Sequence, residues 1–129
     1  AKKEIADVFK PGDHGSTFGG SCLAVAACAA TLSALVRGDY ADHAAKVGAY
    51  MEAKLTKLPH VVEVRGRGLM LGCDLDDAAR DAHDIVARAL ATGAVINATG
   101  AHTLRFLPPL VCEEADVDSL IEILSDVLA

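Results

Sequence analysis

Apolar residues recur along the chain at two spacings, and the spacing distinguishes helices from strands. After a short predicted helix at residues 3–9, an uncharged run predicts a helix over about 21–36, with Gly38 just beyond its end as the C-cap. The next helix is predicted between Asp39, which can cap it, and Pro59, which stops it. Its apolar stripe, at steps of three and four, comprises Tyr40, Ala44, Val47, Gly48, Met51, Leu55 and Leu58.

The middle of the chain carries a hairpin pattern followed by another helical stripe. Residues 61–65 and 69–75 predict two antiparallel strands about a tight turn at 66–68. We expect Asp76 or Asp77 to cap the helix that follows, which ends near residue 93. The face that the second strand should bury is Leu69, Leu71, Cys73 and Leu75, and the helix's inner stripe is Ala79, Ala82, Ile85, Val86, Ala89 and Leu90.

The last part predicts two short strands and a closing helix. The strands cover 94–97 and 103–107, and Pro108-Pro109 ends the second because proline cannot donate to a ladder. A helix over 113–128 has acidic residues at its positive end, where the dipole favours them. We therefore expect an α+β fold, a small and mainly antiparallel sheet covered by helices on one side.

Composition and charge exclude two classes of partner. The 129 residues carry a net charge of −6, and only 4% are aromatic. Such a chain repels nucleic acid and anionic membranes, and it offers few rings for base stacking.

The uncharged run at 18–36 is long enough to cross a membrane. It consists mainly of small residues, which gain little in lipid, so a buried helix is the favoured interpretation. A helix with such small sides needs neighbours on every face, which a chain of this length does not easily supply by itself.

The four cysteines are expected to be buried free thiols. Cys22, Cys28, Cys73 and Cys112 have no C-x-x-C spacing, and each lies in an apolar run. Free thiols indicate a reducing compartment, and with no signal-peptide pattern we expect the cytoplasm.

The glycine-rich loop at 12–20 is the first candidate for chemistry. Ser16 and Thr17 add hydroxyl donors to backbone N–H groups, and a helix N-terminus follows at once. These features suit a phosphate or a carboxylate, although the P-loop sequence is absent. A plain turn with Ser21 as the helix N-cap would explain the same residues.

Arg105 is the second candidate. Alternation along its strand places it on the face opposite Leu104 and Phe106. A buried arginine there would need a carboxylate or phosphate partner, whereas an arginine on an edge strand in water would need none.

The remaining reactive side chains predict no catalytic or metal site. Every lysine is expected to be exposed, so none suits a desolvated nucleophile. The five histidines lack metal spacing; His43 and His83 are expected on polar helix faces, and His14 in a loop hydrogen bond. Helix capping explains the acidic cluster at 74–77, and a solvated turn explains Arg65 and Arg67.

Three stretches resemble the class III pyridoxal-phosphate-dependent aminotransferases, and the acetylornithine aminotransferases most closely. They are PGDHGSTFGG at 11–20, VRGRGLMLG at 64–72, and LRFLPPL at 104–110 followed by an acidic helix start. Each stretch alone is a weak signal, but the three in this order and spacing are specific and cover essentially the whole chain.

The resemblance implies a fold-type I enzyme that binds pyridoxal 5'-phosphate and works as a homodimer. Residues 1–37 would be a glycine-rich loop and connecting helix from the end of the large domain, and 38–129 the C-terminal small domain. Thr17 matches the threonine that binds the cofactor phosphate of the partner subunit, and Ser16 matches a serine near the substrate. Arg105 matches the arginine that binds the α-carboxylate of the substrate or of 2-oxoglutarate.

The resemblance also implies that the catalytic machinery lies elsewhere. The Schiff-base lysine and the aspartate for the pyridine nitrogen precede this segment in the family, so we expect this chain alone to be inactive. The chain departs from the family at Ser21-Cys22, where Asn-Pro is usual, and at Cys112, where a Thr or Ser often caps the last helix.

For the intact enzyme, the resemblance implies amino transfer between N-acetylornithine and 2-oxoglutarate in arginine biosynthesis. Related enzymes that act on ornithine, succinylornithine or 4-aminobutyrate are alternatives. A free-standing α+β module that binds an anion is a further alternative, from outside the enzymes.

Overall fold

A computed structural model describes residues 2–10 and 12–129. Within it the chain divides into two compact units, one that ends at Gly38 and one that runs Asp39–Ala129.

The first unit contains a short helix, α1 (Lys3–Ala6), and a long one, α2 (Cys22–Arg37). α1 ends three residues before the predicted boundary. α2 begins as expected, because Ser21 caps it by accepting a hydrogen bond from the Ala24 N–H at 3.4 Å. Gly38 is the C-cap, but its backbone is extended rather than left-handed.

The expectation that α2 is a buried helix is wrong for this structure. None of its residues is buried, and Leu23 and Val36 are 82% and 85% exposed. The expected burial of all four thiols fails for the same reason: Cys22 and Cys28 lie on α2 and are exposed, whereas Cys73 and Cys112 are buried. A helix without a polar face gives no indication of which part of a protein will cover it.

Among the described residues, no single helix is long and apolar enough to span a membrane, although α2 and the helix after it would pass together on length and composition.

The second unit is an antiparallel sheet with helices on one face. The strand order is β1-β2-β4-β3, and every neighbouring pair is antiparallel. The elements are α3 (Tyr40–Leu55), β1 (Val61–Arg67), β2 (Met70–Leu75), α4 (Ala82–Ala91), β3 (Asn97–Ala98), β4 (Thr103–Phe106) and α5 (Glu114–Leu128).

The core of the second unit lies between one face of the sheet and the three helices. Leu69, Leu71, Cys73 and Leu75 are all buried, as the alternation predicts, and they pack with residues from each helix. Those helix residues include Val47, Met51 and Leu55 of α3, Ala82 and Ile85 of α4, and Val117 and Leu124 of α5. The α+β class and the one-sided helical cover are confirmed.

Two glycines let the β1–β2 hairpin and α3 approach closely. A Cβ on Gly48 would lie 2.1 Å from the carbonyl oxygen of Gly68, so α3 can carry only glycine where it crosses the hairpin turn. Gly66 has a φ of +147°, and a Cβ there would lie 2.0 Å from the Met70 carbonyl oxygen. The backbone requires both of these glycines.

The start of α4 corrects the predicted cap. Asp81 caps the helix by accepting the His83 N–H at 2.8 Å, whereas Asp76 holds an earlier turn by accepting the N–H groups of Ala78 and Ala79. Several acidic residues precede the helical stripe, and sequence alone does not say which one ends the turn.

The start of α5 compensates for the missing Thr or Ser. Glu113, the residue after Cys112, is the N-cap, and it forms a capping box with Asp116. The poor capping ability of Cys112 therefore has no consequence for this helix.

Candidate functional site

The glycine-rich loop places two exposed hydroxyls directly before the N-terminus of α2. The Gly19 N–H donates a hydrogen bond to Ser16 Oγ at 2.9 Å, and a Cβ on Gly19 would lie 2.8 Å from that oxygen. Gly20 has a φ of +77°, which turns the chain into the helix. The glycines are therefore needed to fold the loop back onto Ser16.

The hydroxyls of this loop remain able to donate. Ser16 uses its oxygen as an acceptor, which leaves its O–H free to donate to an anion. The Thr17 hydroxyl makes no hydrogen bond within residues 2–10 and 12–129, and both side chains are exposed. Ser21 caps α2, so a turn with a serine N-cap is present, but it does not use Thr17. His14 packs edge-on against the Phe9 ring at 5.2 Å between centroids, rather than making the expected loop hydrogen bond.

Arg105 lies on the helix-free face of the sheet. Its neighbours Leu104 and Phe106 are 1% and 3% exposed, and Arg105 itself is exposed, as alternation predicts. Its strand β4 lies between β2 and β3, so it is an interior strand and not an edge. The guanidinium is thus presented from the middle of the sheet.

Strand register places Arg105 in a row that crosses the sheet. Gly72 of β2 pairs directly with Arg105 on one side and with Arg65 of β1 on the other, and Asn97 of β3 pairs with Arg105. Directly paired residues point to the same face. The row Arg65–Gly72–Arg105–Asn97 therefore has two arginines separated by a residue without a side chain.

Asp74 is a carboxylate that binds Arg65 of this row and the hydroxyl of Thr103. It accepts a bidentate pair from Arg65, with Nη2–Oδ1 at 3.0 Å, and a hydrogen bond from the Thr103 hydroxyl at 2.7 Å. The Arg65 guanidinium, followed by Thr103, lowers the pKa of Asp74, and the bond to Asp74 raises the pKa of Arg65. Arg65 is therefore an ion-paired residue within β1, which corrects its expected place in a solvated turn.

Asp74 is paired with Arg65 and Thr103, and Arg105 has no carboxylate partner of its own among the described residues. Among residues 2–10 and 12–129, no Asp or Glu oxygen lies within 4 Å of its guanidinium. An exposed guanidinium without an acidic partner among these residues has N–H donors free for other hydrogen bonds. Sequence reasoning missed Asp74 and Gly72, because their roles depend on strand register.

A concave surface adjoins Arg105. A cleft of about 580 Å³ opens beside β3 and β4 and takes part of its lining from Arg105. This volume is within the range typical of small-molecule sites. Other residues that line it are Ile96, Asn97, Pro108, Pro109 and Leu120.

The lysines match the expectation with one exception. Lys54 is half-buried; its Nζ lies 3.0 Å from Asp118 Oδ1 and 5.1 Å from the centre of the Tyr50 ring. The bond to Asp118, followed by that to Tyr50, raises the pKa of Lys54, whereas a lysine nucleophile needs its pKa lowered. Lys2, Lys3, Lys10, Lys46 and Lys57 are exposed.

The histidines take structural roles. His43 was expected on a polar face, but it is half-buried and its Nε2–H donates to the Cys112 carbonyl at 2.8 Å, which ties α3 to the segment before α5. His60 Nδ1 lies 3.0 Å from Asp76, and His83 Nδ1 lies 2.9 Å from Asp81.

Metal binding and chemistry at the Cys73 thiol find no support in the part of the chain that the structure describes. No group of three potential metal ligands occurs there. Burial raises the pKa of the Cys73 thiol to about 12, which makes it unreactive.

The chain thus has a glycine-rich loop with exposed hydroxyls before a long helix, and a small antiparallel sheet that presents an arginine. The "Aminotransferase class-III" family profile matches residues 1–128. The chain belongs to the class-III aminotransferase family.

Curated relatives are similar to this chain over nearly its full length. It is 44% identical to the acetylornithine aminotransferase of Caldanaerobacter subterraneus and 41% identical to that of Aquifex aeolicus, over 98% and 99% of this chain. It is also 38% identical to ornithine aminotransferase 2 of Staphylococcus aureus, over 95% of this chain. It spans 33%, 32% and 31% of those proteins, about a third of their length.

Solved structures agree with the fold. The acetylornithine aminotransferase of Elizabethkingia anophelis matches 99% of this chain with a TM-score of 0.78 at 28% identity, and the match covers 35% of that protein. The ornithine aminotransferase of Toxoplasma gondii matches 97% with a TM-score of 0.78 at 34% identity, covers 30% of that protein, and shows partial occupancy of PLP at its active site. The expected family, fold class and cofactor are confirmed: pyridoxal phosphate is the cofactor of this family's intact enzymes.

The residues present fit part of that cofactor. A phosphate group needs hydrogen-bond donors, and the exposed Ser16 and Thr17 hydroxyls lie in the loop that precedes the 16-residue helix α2. Nothing among the described lysines fits its aldehyde, because those lysines are exposed or, at Lys54, paired with an acid. The described residues thus include hydroxyl donors of the kind a phosphate needs, and no described lysine has the environment that the aldehyde needs.

Proposed function

We propose that this chain is the C-terminal third of an enzyme that transfers an amino group between N-acetylornithine and 2-oxoglutarate in arginine biosynthesis. The observation that carries the proposal is Arg105, an arginine with no acidic partner among the described residues, on the open face of the sheet. Both substrates carry a carboxylate of the kind that an arginine fork binds. The names of the relatives at 44% and 41% identity support the amine donor.

Each candidate residue receives one role in this proposal. Thr17 donates its hydroxyl to the cofactor phosphate of the partner subunit in a homodimer, and Ser16 lies near the substrate. Arg105 binds the α-carboxylate of the amino acid or of 2-oxoglutarate. Residues 1–37 belong to the end of a large domain, and 38–129 form the C-terminal small domain.

The chemistry of this chain is binding and orientation. When bound, pyridoxal phosphate supplies the electron sink for the amino transfer. Arg105 fixes one end of the substrate, so that the reacting carbon is presented in one orientation rather than many. Arg65 and Thr103 assist by occupying Asp74, which would otherwise compete with the substrate for Arg105.

The lysine that binds the cofactor covalently lies, in this proposal, in the part of the relatives that this chain does not span. The chain by itself is then inactive. Incubation with pyridoxal phosphate, borohydride reduction and peptide mapping tests this: a stoichiometric adduct at one lysine of this chain would contradict it. Lys54 is paired with Asp118, so we expect only scattered, substoichiometric labelling. The cytoplasm is the proposed location, in keeping with free thiols.

The role of Arg105 is tested in the full-length enzyme. Arg105→Gln should raise the KM for 2-oxoglutarate about 10- to 100-fold, because a charge-assisted hydrogen-bond pair is lost. Arg105→Lys should recover only part of the loss, because lysine lacks the planar fork. Arg88→Ala, which removes an exposed arginine on α4, is the matched control and should leave KM unchanged. Equal effects of the two substitutions at positions 105 and 88 would refute the assignment.

The role of Thr17 is tested by cofactor retention. Thr17→Ala should raise the dissociation constant for pyridoxal phosphate about tenfold through loss of a hydrogen bond to a charged group. Thr99→Ala, in the exposed turn before β4, is the control. Equilibrium dialysis that gives both variants the wild-type affinity would exclude Thr17 from the phosphate site.

Ornithine is the second candidate donor, because relatives and solved structures named ornithine aminotransferases also match. The residues that choose the donor are expected mostly outside this chain. Steady-state kinetics of the full-length enzyme with N-acetylornithine, ornithine, succinylornithine and 4-aminobutyrate decides among them by kcat/KM. No activity with any of the four would favour the free-standing anion-binding module.

A further inference from the structure

Gly72 occupies a strand position at which the fold itself does not require glycine. It lies in the interior of β2, and its φ is outside the left-handed region that favours glycine. A Cβ at this position would meet only the Arg65 carbonyl oxygen at 3.8 Å and Arg65 Cγ at 3.9 Å, which are ordinary van der Waals distances. Glycine in a strand costs about 0.5–1 kcal/mol relative to alanine.

Gly48 and Gly66 differ from Gly72 in the space available for a side chain. At both of those positions a Cβ would lie about 2 Å from a carbonyl oxygen, so their backbones demand glycine. Gly72 has room for a methyl group and still has none. Glycine within a strand often marks a place that a ligand approaches closely.

The residues on either side of Gly72 indicate which kind of ligand would approach its backbone. It lies between Arg65 and Arg105 in the row across the helix-free face, and neighbouring strands are about 4.8 Å apart. Arg65 is held by Asp74 and is already neutralised. Gly72 is therefore paired on one side with Arg65, which an ion pair already holds, and on the other with Arg105, which has no acidic partner among the described residues.

We propose that Gly72 determines substrate specificity, by leaving space for the carboxylate end of an amino acid or 2-oxo acid that Arg105 holds. A side chain on Gly72 would stand in the path of that carboxylate group and of the carbon next to it. This inference rests on the proposed role of Arg105, and it adds that the bound acid lies against the bare backbone of β2.

The test compares Gly72→Ala and Gly72→Val in the full-length enzyme. The KM for 2-oxoglutarate should rise about tenfold or more for valine and less for alanine, since obstruction grows with volume. The melting temperature should stay equal or rise, because both residues suit a strand better than glycine. Met70→Ala, at an exposed position on the same face of β2, is the control and should change neither value.

A direct binding measurement separates this inference from the proposed reaction. Calorimetric titration of 2-oxoglutarate should give weaker binding in the two variants whether or not the wild type transaminates. If the wild-type enzyme binds 2-oxoglutarate but transfers no amino group, the proposed function is wrong, whereas the role of Gly72 in binding the acid still holds. Unchanged affinity in Gly72→Val, a fall in melting temperature in Gly72→Ala, or no binding by the wild type would each overturn the inference.

Discussion

Residues 2–38 and residues 39–129 use their apolar side chains in opposite ways. α2 carries small and apolar residues on all faces and buries none of them, whereas α3, α4 and α5 each bury one stripe against a single sheet face. The second unit supplies both sides of its own core. The first supplies one side only, although one family profile covers both. The difference teaches that apolar composition by itself does not bury a helix, because burial needs a second apolar surface opposite it.

Leucine truncation should show the largest difference between the two units. Leu124→Ala, at a fully buried position of α5, should lower the free energy of unfolding by about 2–5 kcal/mol, because it leaves a cavity. Leu32→Ala, at a position of α2 that is 56% exposed, should change it by less than about 0.5 kcal/mol. Urea unfolding of the chain can be followed by tyrosine fluorescence, since both tyrosines, Tyr40 and Tyr50, lie on α3 and Trp is absent. Similar losses for the two variants would mean that α2 has a covered face.

The same contrast shows how far the sequence could predict the fold. The stripe of α3 and the alternation of β2 were predicted residue by residue, because each pattern faces partners within the same unit. The exposure of α2 was not, because a helix that is apolar all round does not indicate where its partners are. Its composition did suggest that partners would be lacking.

The sequence predicted those candidate site residues whose side-chain type and local pattern alone suggest a role. Arg105 and the two loop hydroxyls were selected from alternation, glycine content and resemblance. The pairing of Arg65 with Asp74, and the place of Gly72 in the row, depend on which residues face each other across strands. Register is a tertiary property, and the pattern of a single sequence does not fix which residues face each other across strands that are far apart along the chain.

On the open face of the second unit, removal of Arg65 should have the next largest effect. Arg65→Ala frees Asp74 to pair with Arg105 in place of the substrate, because its partner Thr103 lies two residues from Arg105 on the same face of β4. The KM for 2-oxoglutarate in the full-length enzyme should rise about tenfold. Adding Asp74→Asn to Arg65→Ala removes the competing charge and should restore most of the affinity. No rescue in this double variant would show that Arg65 acts on something other than Asp74.

Acid should destabilise the second unit through its ion pairs. The Tyr50 hydroxyl, at 2.7 Å, and then Lys54 lower the pKa of Asp118 below its ordinary 3.8. A lowered folded-state pKa gives stability that is present above the unfolded value and is lost as the pH falls through the folded one. Asp118→Asn should therefore reduce the fall in melting temperature between pH 7 and pH 3 by about 3 °C, a small effect because the group is exposed. Asp126→Asn, on the same helix, is the control, and an equal reduction there would indicate general charge repulsion instead.

The smallest effect concerns the local interactions that start α2. With no buried residue, this helix depends on capping and propensity, and its serine cap is a long bond of 3.4 Å. Ser21→Ala should cost about 0.5 kcal/mol, at the low end for an N-cap, and should lower the helical circular dichroism of the chain. Ser33→Ala, in the interior of the same helix, should raise it, because alanine is the better helix former there. Opposite signs for these two serines would show that local terms alone hold α2. If neither substitution alters the helical signal, α2 must instead be held by packing, and the contrast between the two units would disappear.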